Sequence, residues 1–555
     1  MTILYTIPIL FILFISASFA DIIPSNTPLT PENVCNATLS PKFCKSVLPK
    51  LGKNNIYDYC RSSFGQSLQS ARKFAGLVDY YLKKDSSTLS KSAIQALEDC
   101  KLMSELTIDF LDSCSSTINI SSILPNKQTD SLQSLLSAVL TNQQTCLEGL
   151  QDTASENGLY TAIADATKLY GVSLALFTRG WGYKTLKVNF GLGRKLLFSD
   201  REAGRDGRLP LRMSNKHREI FESVSGRKLL QSSDTVVVRD IKVVNPNGTE
   251  DFTTINDAIA AAPNKTKIED GYFIIYVVEG VYEEYVVIDK NKRNLMIIGD
   301  GINKTIITGN RNVVDGSTTF NSATFAVVGQ GFVGINITVR NTAGAIKHQA
   351  VAVRNGADMS TFLSCSFEGY QDTLYTHSLR QFYRNCDIYG TVDFIFGNAA
   401  VVLQDCNLYG RLPMSNQFNA LTAQGRTDPN QNTGISIHNC NIQAAPDLAA
   451  SSGTTKSYLG RPWKEYSRTV YMQSSIDSFI DPAGWRAWDG DFALSTLYYA
   501  EYDNRGSGSS TANRVTWPGY NVIDATNATA FTVSNFIAGD GWLPATGAPH
   551  DGGLV

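Results

Sequence analysis

The sequence predicts two fold classes in one chain: an all-α helical bundle over residues 21–180 and an all-β parallel β-helix over residues 232–555. Three observations carry this. Apolar residues recur at three- and four-residue spacings in the first region. A cysteine frame recurs at 20–21 residues in the second. Between them, residues 181–231 carry 12 Lys+Arg against 5 Asp+Glu, unlike either neighbour. With 555 residues, 43% hydrophobic and 18% charged, the chain has material for at least two cores and does not read as disordered.

The first 20 residues, an apolar run ending in small residues at Ser18 and Ala20, read as a secretion signal cleaved after Ala20; the competing reading is an uncleaved anchor. No other run is long and apolar enough to span a bilayer. Ten cysteines and seven Asn-X-Ser/Thr sequons, at Asn36, Asn119, Asn247, Asn264, Asn303, Asn336 and Asn527, fit export. No Cys-X-X-Cys pair occurs and the five histidines are scattered, so disulfides are expected and no metal or other cofactor is.

Within residues 21–180, "SSFGQSLQSARKFAGLVDYYL" and "SKSAIQALEDCKLMSELTIDFLDSC" have helical periodicity. "TDSLQSLLSAVLTNQQTCLEGL" shares it, with Thr129 or Asp130 as the expected N-cap. Six cysteines (35, 44, 60, 100, 114, 146) lie here, so a short antiparallel bundle pinned by disulfides follows. The tract 181–231 contains "RKLL" twice, at 194–197 and 227–230, and reads as an exposed linker for a processing protease. Its charge alone would suit a nucleic-acid arm, but export argues against one.

Residues 232–555 hold the short β-like runs, including "YFIIYVVEG", "YEEYVVI", "NLMIIGDG", "ATFAVVG" and "FVGINITVRN". Aligning "FLSCSFEGYQ", "FYRNCDIYGT" and "VLQDCNLYGR" places Cys365, Cys386 and Cys406 in one frame, nearly repeated at Cys440. Short strands at this period without intervening helices imply stacked coils, one inter-strand spacing (~4.8 Å) apart. "TINDAIAAAP" (254–263) is the expected helical cap over one end.

The same ruler gives meaning to Asp372 and Asp393, 21 residues apart in apolar runs. They should occupy equivalent positions on neighbouring coils. Each alone suits a turn-capping aspartate; as a stacked pair they repel, and one pKa must rise. One protonated acid beside one anion divides the labour of acid–base and nucleophilic chemistry.

At these residues the chain resembles the plant pectin methylesterases that carry an N-terminal inhibitor-like pro-domain. The resemblance rests on "HQAVAVR" (348–354), "GYQDTLY" (369–375), "GTVDFIFGNA" (390–399), "LGRPWKEYSR" (459–468), "DPAGW" (481–485) and "GWLP" (541–544), and covers essentially the whole chain. It implies an all-β right-handed parallel β-helix catalytic domain, preceded by an all-α four-helix-bundle inhibitor-like domain with a helical hairpin. It assigns Asp393 as nucleophile, Asp372 as proton donor and later base, and Gln349 and Gln371 as oxyanion-stabilising amides. Arg461 and Trp463 become substrate-site residues and Thr319 a peripheral sugar contact. It implies disulfides Cys35–Cys44, Cys100–Cys146 and Cys386–Cys406; Cys60 and Cys114 are left to pair with each other, and Cys365 and Cys440 have no partner. The implied substrate is methyl-esterified homogalacturonan of the plant cell wall, de-esterified to release methanol. The implied partners are the intramolecular pro-domain, separate inhibitor proteins and a subtilisin-like protease at RKLL, with a monomeric mature form. Cleavage after Leu197 or after Leu230 is open; the second motif lies nearer the first β-run and favours a mature chain beginning near Gln231 or Ser232.

The chain departs from its relatives in three places. "RDIKVVNPNGTEDFTTI" (239–255) replaces the usual domain start, and "NTAGA" (341–345) lacks a usual proline near Gln349. Residues 232–555 hold 23 Lys+Arg against 31 Asp+Glu, net −8, where many relatives are strongly basic. Weaker attraction to de-esterified, anionic pectin and less blockwise action are expected. The rival readings are a pectin lyase or galacturonase on the same fold, or a silent inhibitor or binding protein. Intact Asp372, Asp393, Gln349, Gln371 and Arg461 weigh against the last.

Overall fold

Two small helices and four long ones build the first unit: α1 (Pro31–Cys35), α2 (Pro41–Val47), α3 (Ile56–Lys84), α4 (Lys91–Ile120), α5 (Asn126–Gln151) and α6 (Gly158–Trp181). The structure, a computed structural model, describes residues 27–50, 54–84, 89–151, 158–182, 211–212, 214–225, 236–451 and 455–555. The expected signal segment and both RKLL motifs lie outside the described residues. Helices α3 to α6 pack in a ring, α3 against α4 and α6, and α5 against α4 and α6. Buried residues at helical spacing, among them Phe64, Leu111, Leu136, Val139, Leu174 and Phe177, fill its centre. Ser90 caps α4 by accepting from the Ala93 N–H at 3.1 Å. Helix α5 begins before the expected Thr129 or Asp130 cap. The Pro125 carbonyl accepts from the N–H groups of Gln128 and Thr129 at 2.9 and 3.0 Å, so Thr129 already lies inside the first turn.

The disulfides Cys35–Cys44 and Cys100–Cys146 are present, the first closing the α1–α2 hairpin and the second joining α4 to α5. Cys60 and Cys114 are not bonded to each other; both are buried thiols.

The second unit is, among the described residues, a stack of parallel strands in three sheets of 12, 8 and 7 strands; between Tyr272–Val277 and Tyr498–Tyr502 consecutive strands of the chain fall in different sheets. Every strand pair is parallel. The run "FVGINITVRN" is two strands, Val333–Ile335 and Thr338–Asn341, separated by a bend at Asn336 with φ +57°. The expected cap is helix α8 (Ile255–Ala261), whose buried Ile255 and Ile259 join the β-helix core. The Glu284 carboxylate accepts from its first N–H groups, at Ile255 and Asn256, where the helix dipole favours an anion.

Part of the expected linker is folded. Leu211–Arg212 forms an edge strand in register with Val236–Val237, and α7 (Asn215–Ser225) buries Phe221 edge-on against Tyr276. The linker's apolar residues, hidden among its charges, find an unpaired strand edge to cover.

Inside the coils, like stacks on like. Phe362 and Tyr383, in register, are parallel rings 5.4 Å apart. The four cysteines precede strands that pair in register (Ser366, Asp387, Asn407, Asn441) and form one buried column. Here the expected Cys386–Cys406 disulfide is absent: both are free thiols. Ladder neighbours stand one strand spacing apart with parallel Cα–Cβ directions, which leaves their Cβ atoms ~4.8 Å apart, beyond the ~3.5–4.5 Å that a disulfide spans. Each thiol instead reaches main-chain carbonyls, Cys386 those of Phe362 and Arg384, and Cys406 those of Tyr383 and Gln404.

Denatured without reductant, the protein should therefore titrate six thiols; four would indicate a third bridge. Cys100→Ala should lower bundle stability by about 2–5 kcal/mol, measured by urea unfolding under oxidising conditions.

Candidate active site

The seven-stranded sheet carries the site. Leu374 pairs with Ile395, so Asp372 and Asp393, two residues upstream of each, sit one above the other. The Asp372 N–H donates to the Val392 carbonyl at 3.1 Å. Both aspartates have left-handed backbones, φ +66° and +53°, which interrupts strand alternation just before the short strands Leu374–Thr376 and Ile395–Gly397. Both residues are buried, at 7% and 5% exposure.

Arg461 comes from a coil two steps further along the same sheet, directly after the strand Ser457–Gly460. Its Nε and Nη2 donate to the two carboxylate oxygens of Asp393 at 2.8 and 2.6 Å. The guanidinium stacks 4.0 Å from the Trp488 ring, with Phe418 at 5.1 Å. A two-pronged pair of this kind fixes the carboxylate plane as well as its charge.

Burial pushes the Asp372 carboxyl well above the ordinary range, the Asp393 charge pushes it further, and Arg461 opposes both. Burial also raises Asp393, but less far, because the hydrogen bonds and charge of Arg461 oppose it. One proton shared by the pair therefore resides on Asp372, leaving Asp393 ionised.

Gln371, next to Asp372 in the chain, and Gln349 are half-buried. The Gln371 carbonyl accepts from the Ala350 N–H at 3.2 Å and the Gln349 carbonyl from the Val313 N–H at 3.1 Å. The two glutamines thus sit on successive coils, beside Asp372. Thr319 opens a short 3₁₀ turn, Phe320–Ser322, at the same face. Trp463 lies edge-on to Phe396 and Tyr375, with ring centroids at 5.8 and 6.4 Å. A Cβ at Gly425 would come within 2.8 Å of the Trp463 ring, so glycine is required for that approach.

Sequence reasoning missed the aromatic floor. Tyr375 and Phe396 stack at 4.2 Å, and Phe320 meets Tyr375 edge-on. The signal was present, since Tyr375 and Phe396 share the 21-residue step of the aspartates. Trp488 had none, because a loop delivers it.

The bundle covers this floor. Phe74, Val78, Leu97, Met103 and Leu150 share one apolar cluster with Phe320, Tyr375, Phe396 and Trp463. Polar contacts ring it: Asn398 donates to Thr141, Gln431 to the Ser137 carbonyl and Thr318 to Asp99, while Lys464 pairs with Glu148. Thr145 meets His377, a ring that burial holds neutral, its pKa pulled down to about 3. The cavity left between α5 and Trp463 measures about 10 Å³, too small for a sugar.

A buried aspartate pair on a β-helix, one member clamped by arginine and set beside an aromatic floor, has the division of charge that hydrolase chemistry requires. The pectinesterase family model spans residues 241–540, and the plant invertase/pectin methylesterase inhibitor model spans residues 30–176. The chain belongs to the pectinesterase family, in its form with an N-terminal inhibitor-type domain. It is 58% identical over 550 residues to probable pectinesterase/pectinesterase inhibitor 41 of Arabidopsis thaliana, covering 96% of each chain. It is 47% identical to pectinesterase 2 of Citrus sinensis over 83% of this chain and 82% of that one. Among solved structures, pectin methylesterase from carrot aligns with TM-score 0.55 and 57% identity, covering 56% of this chain and 98% of its own.

The folded Asp372 pKa lies above its unfolded value, so ionisation favours unfolding. The carboxyl's favourable contribution is complete below the unfolded value (~3.9) and is lost as pH rises towards the folded one. Asp372→Asn should thus raise the melting temperature at neutral pH, with the gain shrinking towards pH 3–4. Arg461→Met removes the influence that lowers Asp393 and should shift the acid limb of kcat/KM to higher pH.

Proposed function

We propose that Asp393 is the nucleophile and Asp372 the acid–base of pectin de-esterification; the protein is a pectin methylesterase acting on homogalacturonan in the plant cell wall. The bidentate Arg461–Asp393 pair carries the assignment, because it distinguishes the ionised carboxylate from the protonated one. Asp393 attacks the C6 carbonyl of a galacturonate methyl ester. The side-chain amides of Gln349 and Gln371 donate to the developing oxyanion, a role worth about 3 kcal/mol per donor in comparable sites. Protonated Asp372 gives its proton to the leaving methoxide, and methanol departs. The Asp372 carboxylate then takes a proton from water and hydroxide adds to the acyl–enzyme anhydride. Collapse expels the Asp393 carboxylate and leaves the uronic acid, which releases its proton to solvent as the uronate departs. A carboxylate is a weak nucleophile, so placement and charge stabilisation supply the rate. Trp463 and Thr319 contact the sugar chain. No cofactor enters any step.

The same reading makes the bundle an intramolecular cover whose removal opens the cleft. A subtilisin-like protease acting at RKLL would do this, and the two motifs are not equivalent. A cut after Leu197 leaves the edge strand Leu211–Arg212 and α7 on the enzyme; a cut after Leu230 severs their covalent link. The mature enzyme is proposed to be a monomer, open to separate inhibitor proteins at the exposed cleft.

Methanol release from methyl-esterified pectin by residues 232–555, beside the full chain, tests both readings. The full chain should turn over at least tenfold more slowly; equal rates would remove the cover. Asp393→Ala should lose at least about 10³-fold and Gln371→Ala about 10²–10³-fold in kcat. Chain shortening in place of methanol release would instead favour the lyase or galacturonase reading.

A further inference from the structure

The twelve-stranded sheet is apolar on both faces at its N-terminal end. Along Tyr272–Val277, Phe273, Ile275 and Val277 join the core inside the coils, while the alternate residues Tyr272, Ile274 and Tyr276 enter a separate buried cluster on the outer face. Two in-register rows make up that face, Ile274–Met296–Val333 and Tyr276–Ile298–Ile335. Further along the first row, Phe382 and Val402 are covered by Val533, Trp542 and Leu543 from the end of the chain. The N-terminal half has a different cover. It is the edge strand Leu211–Arg212 with α7, whose Leu211 and Phe221 are 2% and 1% exposed.

That cover has the features of a bound ligand. Ile220, Phe221 and Val224 recur at helical spacing and pack on the sheet, whereas Lys216 and Glu219 of the same helix are exposed. Phe221 meets Tyr276 edge-on with ring centroids 5.6 Å apart, and His217 Nε2 stands 3.4 Å from the Asp240 carboxylate at the rim. Leu211 and Arg212 add a strand in register with Val236 and Val237. A helix of 11 residues has little stability of its own in water, so the order of α7 comes from the surface it covers. All these contacts are non-covalent, and the cluster contains no residue of the bundle.

The N-terminal part of the chain therefore grips the catalytic unit twice, with the bundle on the cleft floor and α7 on the outer face of the sheet. Residues 183–210 join the two grips, and the RKLL motifs lie on either side of α7, at 194–197 and 227–230. We infer that the outer face is a docking site for residues 211–225 that survives cleavage: a cut after Leu230 leaves the bundle tethered to the enzyme through α7, whereas a cut after Leu197 parts the two grips. This rests on the reading of the bundle as a cover. Two linked grips rebind one another's site at a high effective concentration, and the joint hold can exceed either alone by ~10²–10⁴-fold. The cut nearer the catalytic unit is then silent, and the more distant one opens the cleft.

The test uses the full chain with one RKLL motif replaced by the recognition sequence of a site-specific protease and the other by alanines. Each chain is cut to completion and run on gel filtration at low micromolar concentration. Cut at 227–230, the two pieces should elute together, and methanol release should stay within twofold of the uncut chain. Cut at 194–197, the bundle should elute apart and methanol release should rise at least tenfold. Phe221→Asp in the chain cut at 227–230 should free the bundle in the same way. Excess synthetic peptide spanning residues 209–226 should also free it, and needs no variant to fold. Separation of the pieces after the 227–230 cut alone, or co-elution in every case, would overturn the docking site. Elution reads docking without reference to turnover: if the pieces elute as expected but no cut changes methanol release, the docking site stands and the cover reading falls.

Discussion

Parallel in-register stacking is the constraint on which the rest of this structure depends. A coil that returns after about 20 residues sets each side chain one strand spacing from its counterpart, so whatever is repeated in sequence is brought together in space. For rings this is favourable, as in Phe362 over Tyr383 and Tyr375 over Phe396. For thiols it is tolerable, because each reaches a carbonyl. For two carboxylates it is unfavourable, and that cost is the origin of the chemistry.

The cost is managed by asymmetry. Arg461 reaches across from a later coil and satisfies one aspartate, leaving the other to take the proton. Trp488 and Phe418 hold that guanidinium from its faces. A site of this kind trades stability for reactivity: a buried acid with a raised pKa is least comfortable at the pH where its charge is used.

The helical bundle meets the opposite problem. An aromatic floor of this kind is a large apolar patch, and such patches invite a partner. Here α4 and α5 fill that role with Leu97, Met103 and Leu150, ringed by hydroxyl and amide contacts and by the Lys464–Glu148 pair. Contacts of this mixed kind are those of an interface between domains that each keep a core of their own.

Local pattern sufficed for what is periodic. The helical bundle, the coil repeat, the α8 cap and the adjacency of Asp372 and Asp393 were legible because their spacings map directly onto helix and ladder geometry. The two N-terminal disulfides came from family resemblance, not spacing. The same adjacency misled at Cys386 and Cys406, since nearness along a ladder still leaves the Cβ atoms farther apart than a disulfide spans. The start of α5 at Pro125, and the strand and helix folded out of a basic tract, also escaped; both depend on what the neighbouring surface offers. Trp488 over Arg461, the bundle seated on the cleft, and Asp99 hydrogen-bonded to Thr318 were decided only by tertiary structure. Each joins residues from unrelated positions in the chain, and no periodicity in sequence records where two separately folded surfaces will meet.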